Sequence, residues 1–131
     1  MSIAVGSLSG RRILLVEDEY VIAVEMEEWL LKAGAVVIGP VPSVDQALDL
    51  IEREDVLDAA VLDINLGRGE TAYPIADRLS EAGVPFLFAT GDVLVSNPAY
   101  RDHPRLDKPV IAHELLRTIE ALLGKRSPRA A

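Results

Sequence analysis

The chain has 131 residues, the size of one domain, and half of them are hydrophobic, so a sizeable core can be buried. It has no cysteine, which excludes disulfides and thiol chemistry, and no apolar run near the roughly 20 residues of a membrane span. The formal net charge of −8 makes nucleic acid a poor ligand and cations a better one.

In chain order, Ile13-Leu14-Leu15-Val16 is a short apolar run that suits a strand buried on both faces. Ile22, Met26, Trp29, Leu30 and Ala33 recur at the spacing of one helix face, and Gly34 ends that helix. Val36-Val37-Ile38 is a second strand, expected to stop at Gly39-Pro40. Ser43 can cap a helix that carries Val44, Ala47, Leu48 and Ile51 on one side. Ala59 to Leu62 is a third strand, and Ala72, Ile75, Ala76 and Leu79 stripe a third helix that ends near Gly83. Phe86 to Ala89 is a fourth strand. Pro98 and Pro104 then allow at most a short or frayed helix between Gly91 and Pro104. Leu106 marks a brief fifth strand, and Leu115, Leu116, Ile119, Leu122 and Leu123 a strong last helix. The domain is expected over residues 11–124, with 1–10 and 125–131 as tails. Met1 to Arg12 lacks the basic and apolar regions of a signal peptide, so a cytoplasmic protein with no separate output domain is expected.

Strands that alternate with helices imply an α/β fold, a parallel sheet with helices on both faces. Right-handed crossovers and five strands favour the flavodoxin-like, doubly wound order 2-1-3-4-5. Ligands of such sheets bind beyond the carboxyl ends of the strands. Glu17 and Asp18 follow the first strand, Asp63 the third, Thr90 the fourth, and Asp107-Lys108 the fifth. The second strand, expected to lie off this crevice, brings no functional group.

Glu17, Asp18 and Asp63 would crowd together. Two carboxylates about 5 Å apart at an effective dielectric near 20 repel by roughly 3 kcal/mol, a large share of a domain's net stability. A divalent cation relieves that repulsion, and all-oxygen ligation suits Mg²⁺. Lys108 adds a cation, Thr90 a hydroxyl, and Gly91 room for close backbone approach. A carboxylate nucleophile, a metal, a lysine and a hydroxyl together describe a site for a phosphoryl group. His103 and His113 have no partners at metal-ligand spacing and are expected on the surface, and Trp29 is expected in core or helix-edge packing.

The motifs Leu14-Leu-Val-Glu-Asp18-Glu, Val61-Leu-Asp63-Ile-Asn-Leu, Ala89-Thr90-Gly and Asp107-Lys108-Pro109 resemble those of response regulator receiver domains (CheY-like), over about Arg11 to Gly124. The resemblance implies that Asp63 is the phosphoacceptor. It implies that Asp18 binds Mg²⁺ directly, Glu17 through water, and Asn65 through its backbone carbonyl. Thr90 and Lys108 would contact the phosphoryl oxygens, and the Lys108–Pro109 peptide is often cis in that family. The run Val84-Pro-Phe-Leu-Phe-Ala-Thr-Gly91 further resembles the stand-alone FATGUY subgroup, whose usual tyrosine is Asp92 here. The partners so implied are a histidine kinase, of the HWE or a related class, or a phosphotransfer protein, and a downstream protein reached by direct contact. Two departures stand out: Gly67 where many receivers have proline, and Arg105 where many have a switch aromatic.

Two other readings compete. A haloacid-dehalogenase-like phosphatase also uses Asp, Thr or Ser, Lys and Mg²⁺, but needs a second acid two residues after the nucleophile, where this chain has Asn65. A receiver-like docking module would work without phosphorylation, and then has no use for an intact acceptor, metal acids and lysine.

Overall fold

The computed structural model describes residues 7–91 and 97–124. Five strands, β1 (Arg12–Val16), β2 (Val36–Val41), β3 (Ala59–Leu62), β4 (Phe86–Thr90) and β5 (Arg105–Asp107), form one parallel sheet in the order β2-β1-β3-β4-β5. The α-helices among the described residues are α1 (Tyr20–Lys32), α2 (Val44–Arg53), α3 (Tyr73–Glu81) and α4 (Ala112–Leu123). Between β4 and β5 the described chain makes only a 3-10 turn, Pro98–Tyr100. The prolines at 98 and 104 account for its brevity.

The sheet divides the core in two. On one side Leu14, Val16, Ala60, Leu62, Phe86 and Phe88 pack against α2 and α3 through Ala47, Ile51, Ile75, Ala76 and Leu79. On the other, Ile13, Leu15, Val61, Leu87 and Ala89 pack against α1 and α4 through Met26, Leu30, Leu115 and Ile119. Odd and even strand residues thus go to opposite sides, as the pleat requires, and both sides are covered, so β1, β3 and β4 read as continuous apolar runs. Ser43 caps α2, its hydroxyl accepting the Gln46 N–H.

Two segments differ from the sequence-based expectation. Strand β2 does not stop at Gly39-Pro40 but continues to Val41, by way of an irregularity that shifts its register against β1 between Leu14 and Val16. Gly39 makes this possible: its φ is +103°, and a Cβ there would lie 2.8 Å from the Leu15 carbonyl oxygen. The added length lets the Val41 carbonyl accept the Glu17 N–H at 3.1 Å, which fixes the backbone where β1 ends. At the other end of the sheet, Leu8 is completely buried beside Ile13, Leu30 and Ala33. Its N–H donates to the Ala33 carbonyl and that of Gly10 to Gly34, so the packed unit reaches ahead of Arg11.

Candidate functional site

The carboxyl ends of β1, β3, β4 and β5 converge on one edge. Asp63 N–H donates to the Val16 carbonyl at 2.9 Å, which ties the residue after β3 to the end of β1. Lys108 N–H donates to the Thr90 carbonyl at 3.0 Å and ties the residue after β5 to the end of β4. The Lys108–Pro109 peptide is cis.

Carboxylate oxygens of Glu17, Asp18 and Asp63 lie within 4.8 Å of one another. Glu17 and Asp63 are buried, whereas Asp18 faces solvent. Lys108 reaches into this group: its Nζ donates to Asp63 Oδ2 at 3.2 Å and sits 2.8 Å from Glu17 Oε1 and 3.7 Å from Glu19 Oε1. The Glu17 contact is a close ion pair that lacks hydrogen-bond alignment, so buried Oε1 has no hydrogen-bond partner among the described residues. Its other oxygen, Oε2, accepts the Glu19 N–H at the start of α1.

These surroundings set the charges. Burial first, and then the Glu17 carboxylate, push the Asp63 pKa up to about 7 against the opposing pull of Lys108. For Lys108, burial works to lower the pKa, but the Glu17 and Asp63 carboxylates outweigh it and hold it above its ordinary value. Lys108 therefore stays charged and offsets only part of the negative charge around it. An all-oxygen cluster of three acids with one buried oxygen unbonded fits a hard divalent cation.

Thr90 is buried at the end of β4, paired in register with Asp107. Asn65 lies two residues beyond Asp63, in an isolated antiparallel bridge with Thr71 that closes the loop after β3. Gly67 in that loop has φ +80°, a conformation closed to proline, and a Cβ there would come within 3.6 Å of Asp18 Oδ2. Glu17, Asp18, Asp63 and Lys108 are thus gathered at one point, with Thr90 and Asn65 on the strand end and loop that border it. Asp92 lies outside the described residues.

Sequence reasoning missed a polar and aromatic group at the amino end of β4, away from the strand ends that carry the site. His103, expected on the surface, is half-buried, with its ring stacked on Phe86 at 4.1 Å between centroids and Nε2 2.6 Å from the Phe86 carbonyl oxygen. Its pKa is lowered by burial, against the opposing effect of that carbonyl. His113 is exposed, and Trp29 is half-buried against the α1–α4 side of the core, as expected. The signal available for His103 was its place in a segment whose only apolar ring, Tyr100, lies three residues earlier.

No protein-family model matches the chain, and no curated protein matches it. Solved structures do. The solution structure of SdrG from Sphingomonas melonis Fr1 is 38% identical with a TM-score of 0.76, over 87% of this chain and 97% of that one. The receiver domain of sensor histidine kinase PA1611 from Pseudomonas aeruginosa PAO1, solved with magnesium coordinated in its active site cleft, is 27% identical with a TM-score of 0.76, over 89% and 100%. The chain belongs to the response regulator receiver domains. The BeF3-activated conformation of SdrG is also similar, at 36% identity and a TM-score of 0.71, over 88% and 98%. As a receiver domain, the chain places Asp63 at the end of its central strand, with the acids of β1 and the lysine of β5 on either side of it.

Proposed function

We propose that this receiver accepts a phosphoryl group on Asp63 from a phosphohistidine of a histidine kinase or phosphotransfer protein. It then signals by contact with a downstream protein. The observation that carries this is the placement of Asp63, buried between two further acids and bonded to the one ammonium that enters the cluster among the described residues. A carboxylate used only for structure gains nothing from such crowding.

In the transfer, a carboxylate oxygen of Asp63 forms a bond to phosphorus while the bond from phosphorus to the histidine nitrogen breaks. That nitrogen leaves with the electron pair and takes up a proton from water. Lys108 moves from carboxylate contact to the incoming phosphoryl oxygens, and the Thr90 hydroxyl donates to another. Asp18, Asp63 and the Asn65 carbonyl would hold Mg²⁺, with Glu17 acting through water. The ion supplies charge neutralisation for the phosphoryl oxygens. The magnesium seen in the cleft of the PA1611 receiver domain supports that choice of metal.

The run Val84 to Gly91 supports placement in the FATGUY subgroup, and with it a kinase of the HWE or a related class. With 21 acidic residues against 13 basic ones, a nucleic acid partner is disfavoured. No helix among the described residues is long and apolar enough to cross a membrane.

The test is incubation with acetyl phosphate and Mg²⁺ followed by intact-mass analysis. One added phosphoryl group is expected in the wild type and none in Asp63→Asn. Modification that persists in Asp63→Asn would show that another residue is the nucleophile, and an unmodified wild type would favour the docking module.

A further inference from the structure

The loop that follows Asp63 closes in a tight turn. Asn65 bridges Thr71, the Leu66 N–H donates to the Glu70 carbonyl at 3.0 Å, and the Glu70 N–H donates to the Gly67 carbonyl at 2.9 Å. The two residues inside the last of these bonds, Arg68 and Gly69, both have positive φ, +54° and +76°, as the centre of a type I′ turn requires. That geometry favours Gly, Asn or Asp. Arg68 is the one non-glycine residue with positive φ among the described residues, and it stands between two glycines. It is exposed, so little burial offsets the strain of holding a long side chain in the left-handed region. Strain of this kind, so close to a reactive carboxylate, points to a use for the side chain outside the packed core.

The turn lies at the rim of the site. A Cβ on Gly67, the neighbour of Arg68, would come within 3.6 Å of Asp18 Oδ2. The other cations near the strand ends are engaged, Lys108 by Glu17, Glu19 and Asp63, and Arg105 by Asp107 at 3.3 Å. Arg68 pairs with no acid among the described residues. Phosphoryl donors are anions, and the mouth they enter is acidic. The carboxylates of Glu17, Asp18, Glu19 and Asp63 stand against the single ammonium of Lys108, so even a divalent ion leaves the ionised cluster net negative. A guanidinium on a long arm at the loop tip can meet an approaching phosphate outside Asp63 and hold two of its oxygens at once.

We propose that Arg68 is a binding residue for the phosphoryl donor: it engages the non-bridging oxygens of the donor's phosphoryl group and brings it to Asp63 against the field of the acids. The inference rests on Asp63 being the acceptor. Lys108 acts at the bond that forms, whereas Arg68 acts earlier, on capture, and so on the rate at sub-saturating donor.

The experiment measures the initial rate of phosphorylation of the full chain by intact mass, at saturating Mg²⁺ and sub-saturating donor. The donors are acetyl phosphate and, separately, phosphoimidazole, whose leaving group is that of a phosphohistidine. The proteins are wild type, Arg68→Gln, Arg68→Glu and Arg68→Gly. Glycine takes positive φ at no steric cost, so it keeps the turn and removes only the charged arm. At low salt Arg68→Gln and Arg68→Gly should each be about tenfold slower than wild type with both donors, the scale of one hydrogen bond to a charged group, and Arg68→Glu slower still. In about 0.5 M salt the deficit of Arg68→Gln should shrink to less than about threefold, because the contact is exposed and screened. Rates within about twofold of one another at low salt, or a deficit that salt leaves unchanged, overturn the role of Arg68 and leave the acceptor standing. A deficit with one donor only also overturns it, since the leaving group and not the phosphoryl oxygens would then be read. A wild type that takes no phosphoryl group overturns the acceptor, and the role of Arg68 falls with it.

Discussion

Lys108 Nζ stands 2.8 Å from Glu17 Oε1, a buried carboxylate oxygen to which no hydrogen bond is made among the described residues. The same ammonium donates to Asp63 at 3.2 Å, so one cation is shared between two buried acids. Removing it leaves both acids uncompensated. Lys108→Met should destabilise the metal-free protein at pH 8 by about 3 kcal/mol, as one-sided loss of a buried pair does. Urea unfolding with EDTA, and again with Mg²⁺, measures this. Mg²⁺ should restore most of the loss, and an equal deficit with and without metal would mean that Lys108 does not balance these acids.

Metal binding should stabilise the wild type, by about 1.4 kcal/mol when free Mg²⁺ is ten times its dissociation constant. Trp29 borders a small cavity of about 70 Å³ that Lys108 and Pro109 also line, so its fluorescence can follow the titration. Asp18→Ala should abolish both the fluorescence change and the stabilisation, because Asp18 is the exposed member of the acid group and the one a hydrated ion meets first. Mg²⁺ affinity that survives in Asp18→Ala would place the metal elsewhere.

Asp63 carries a pH dependence of defined sign. The folded, metal-free protein keeps the Asp63 proton to about pH 7, while the unfolded chain loses it near 3.8. The contribution to stability is full below 3.8 and is lost as pH rises through about 7. Asp63→Asn removes that loss. Its melting temperature in EDTA should exceed that of the wild type by on the order of 5 °C at pH 8, and by much less at pH 5. A gain of the same size at both pH values would rule out the carboxylate's charge as the cause.

His103 has the opposite dependence. Its folded-state pKa lies below the ordinary 6.5, so the unfolded chain takes the proton first as pH falls. Its contribution is full above 6.5 and is lost as pH falls through the depressed value. His103→Gln should cost about 1.5 kcal/mol at pH 7.5 and progressively less toward pH 5. Denaturant midpoints at the two pH values decide this, and a constant difference would show that the imidazole does not titrate against its packing on Phe86.

The site was legible in the sequence wherever a polar residue followed a short apolar run. Glu17-Asp18, Asp63 and Thr90 each do so, whereas Lys108, with only Leu106 before it, was legible from its Asp-Lys-Pro motif; the topology rules then bring these strand ends together. What escaped depends on contacts that leave no periodic trace. Gly39-Pro40 reads as a stop, and only the tertiary fit of a backbone without a Cβ against Leu15 lets β2 run through it. Tyr100 and His103 lie in a stretch broken by Pro98 and Pro104, where neither a period of 3.6 nor one of 2 can be seen. Even so, both phenylalanines and two of the three tyrosines of the chain meet there, and scarcity of aromatics was itself a hint that they share one place.

The seat of Leu8 sets how much chain is needed to fold. A shortened protein that starts at Arg11 would lose a side chain buried to 0% exposure and would leave the Ala33 and Gly34 carbonyls without their donors, just where α1 turns into β2. The void alone is of the kind that costs about 2–5 kcal/mol, a large part of what keeps a small domain folded. Any trimming meant to isolate the signalling unit therefore has to leave Leu8 to Gly10 in place, although they lie at the opposite end of the sheet from Asp63.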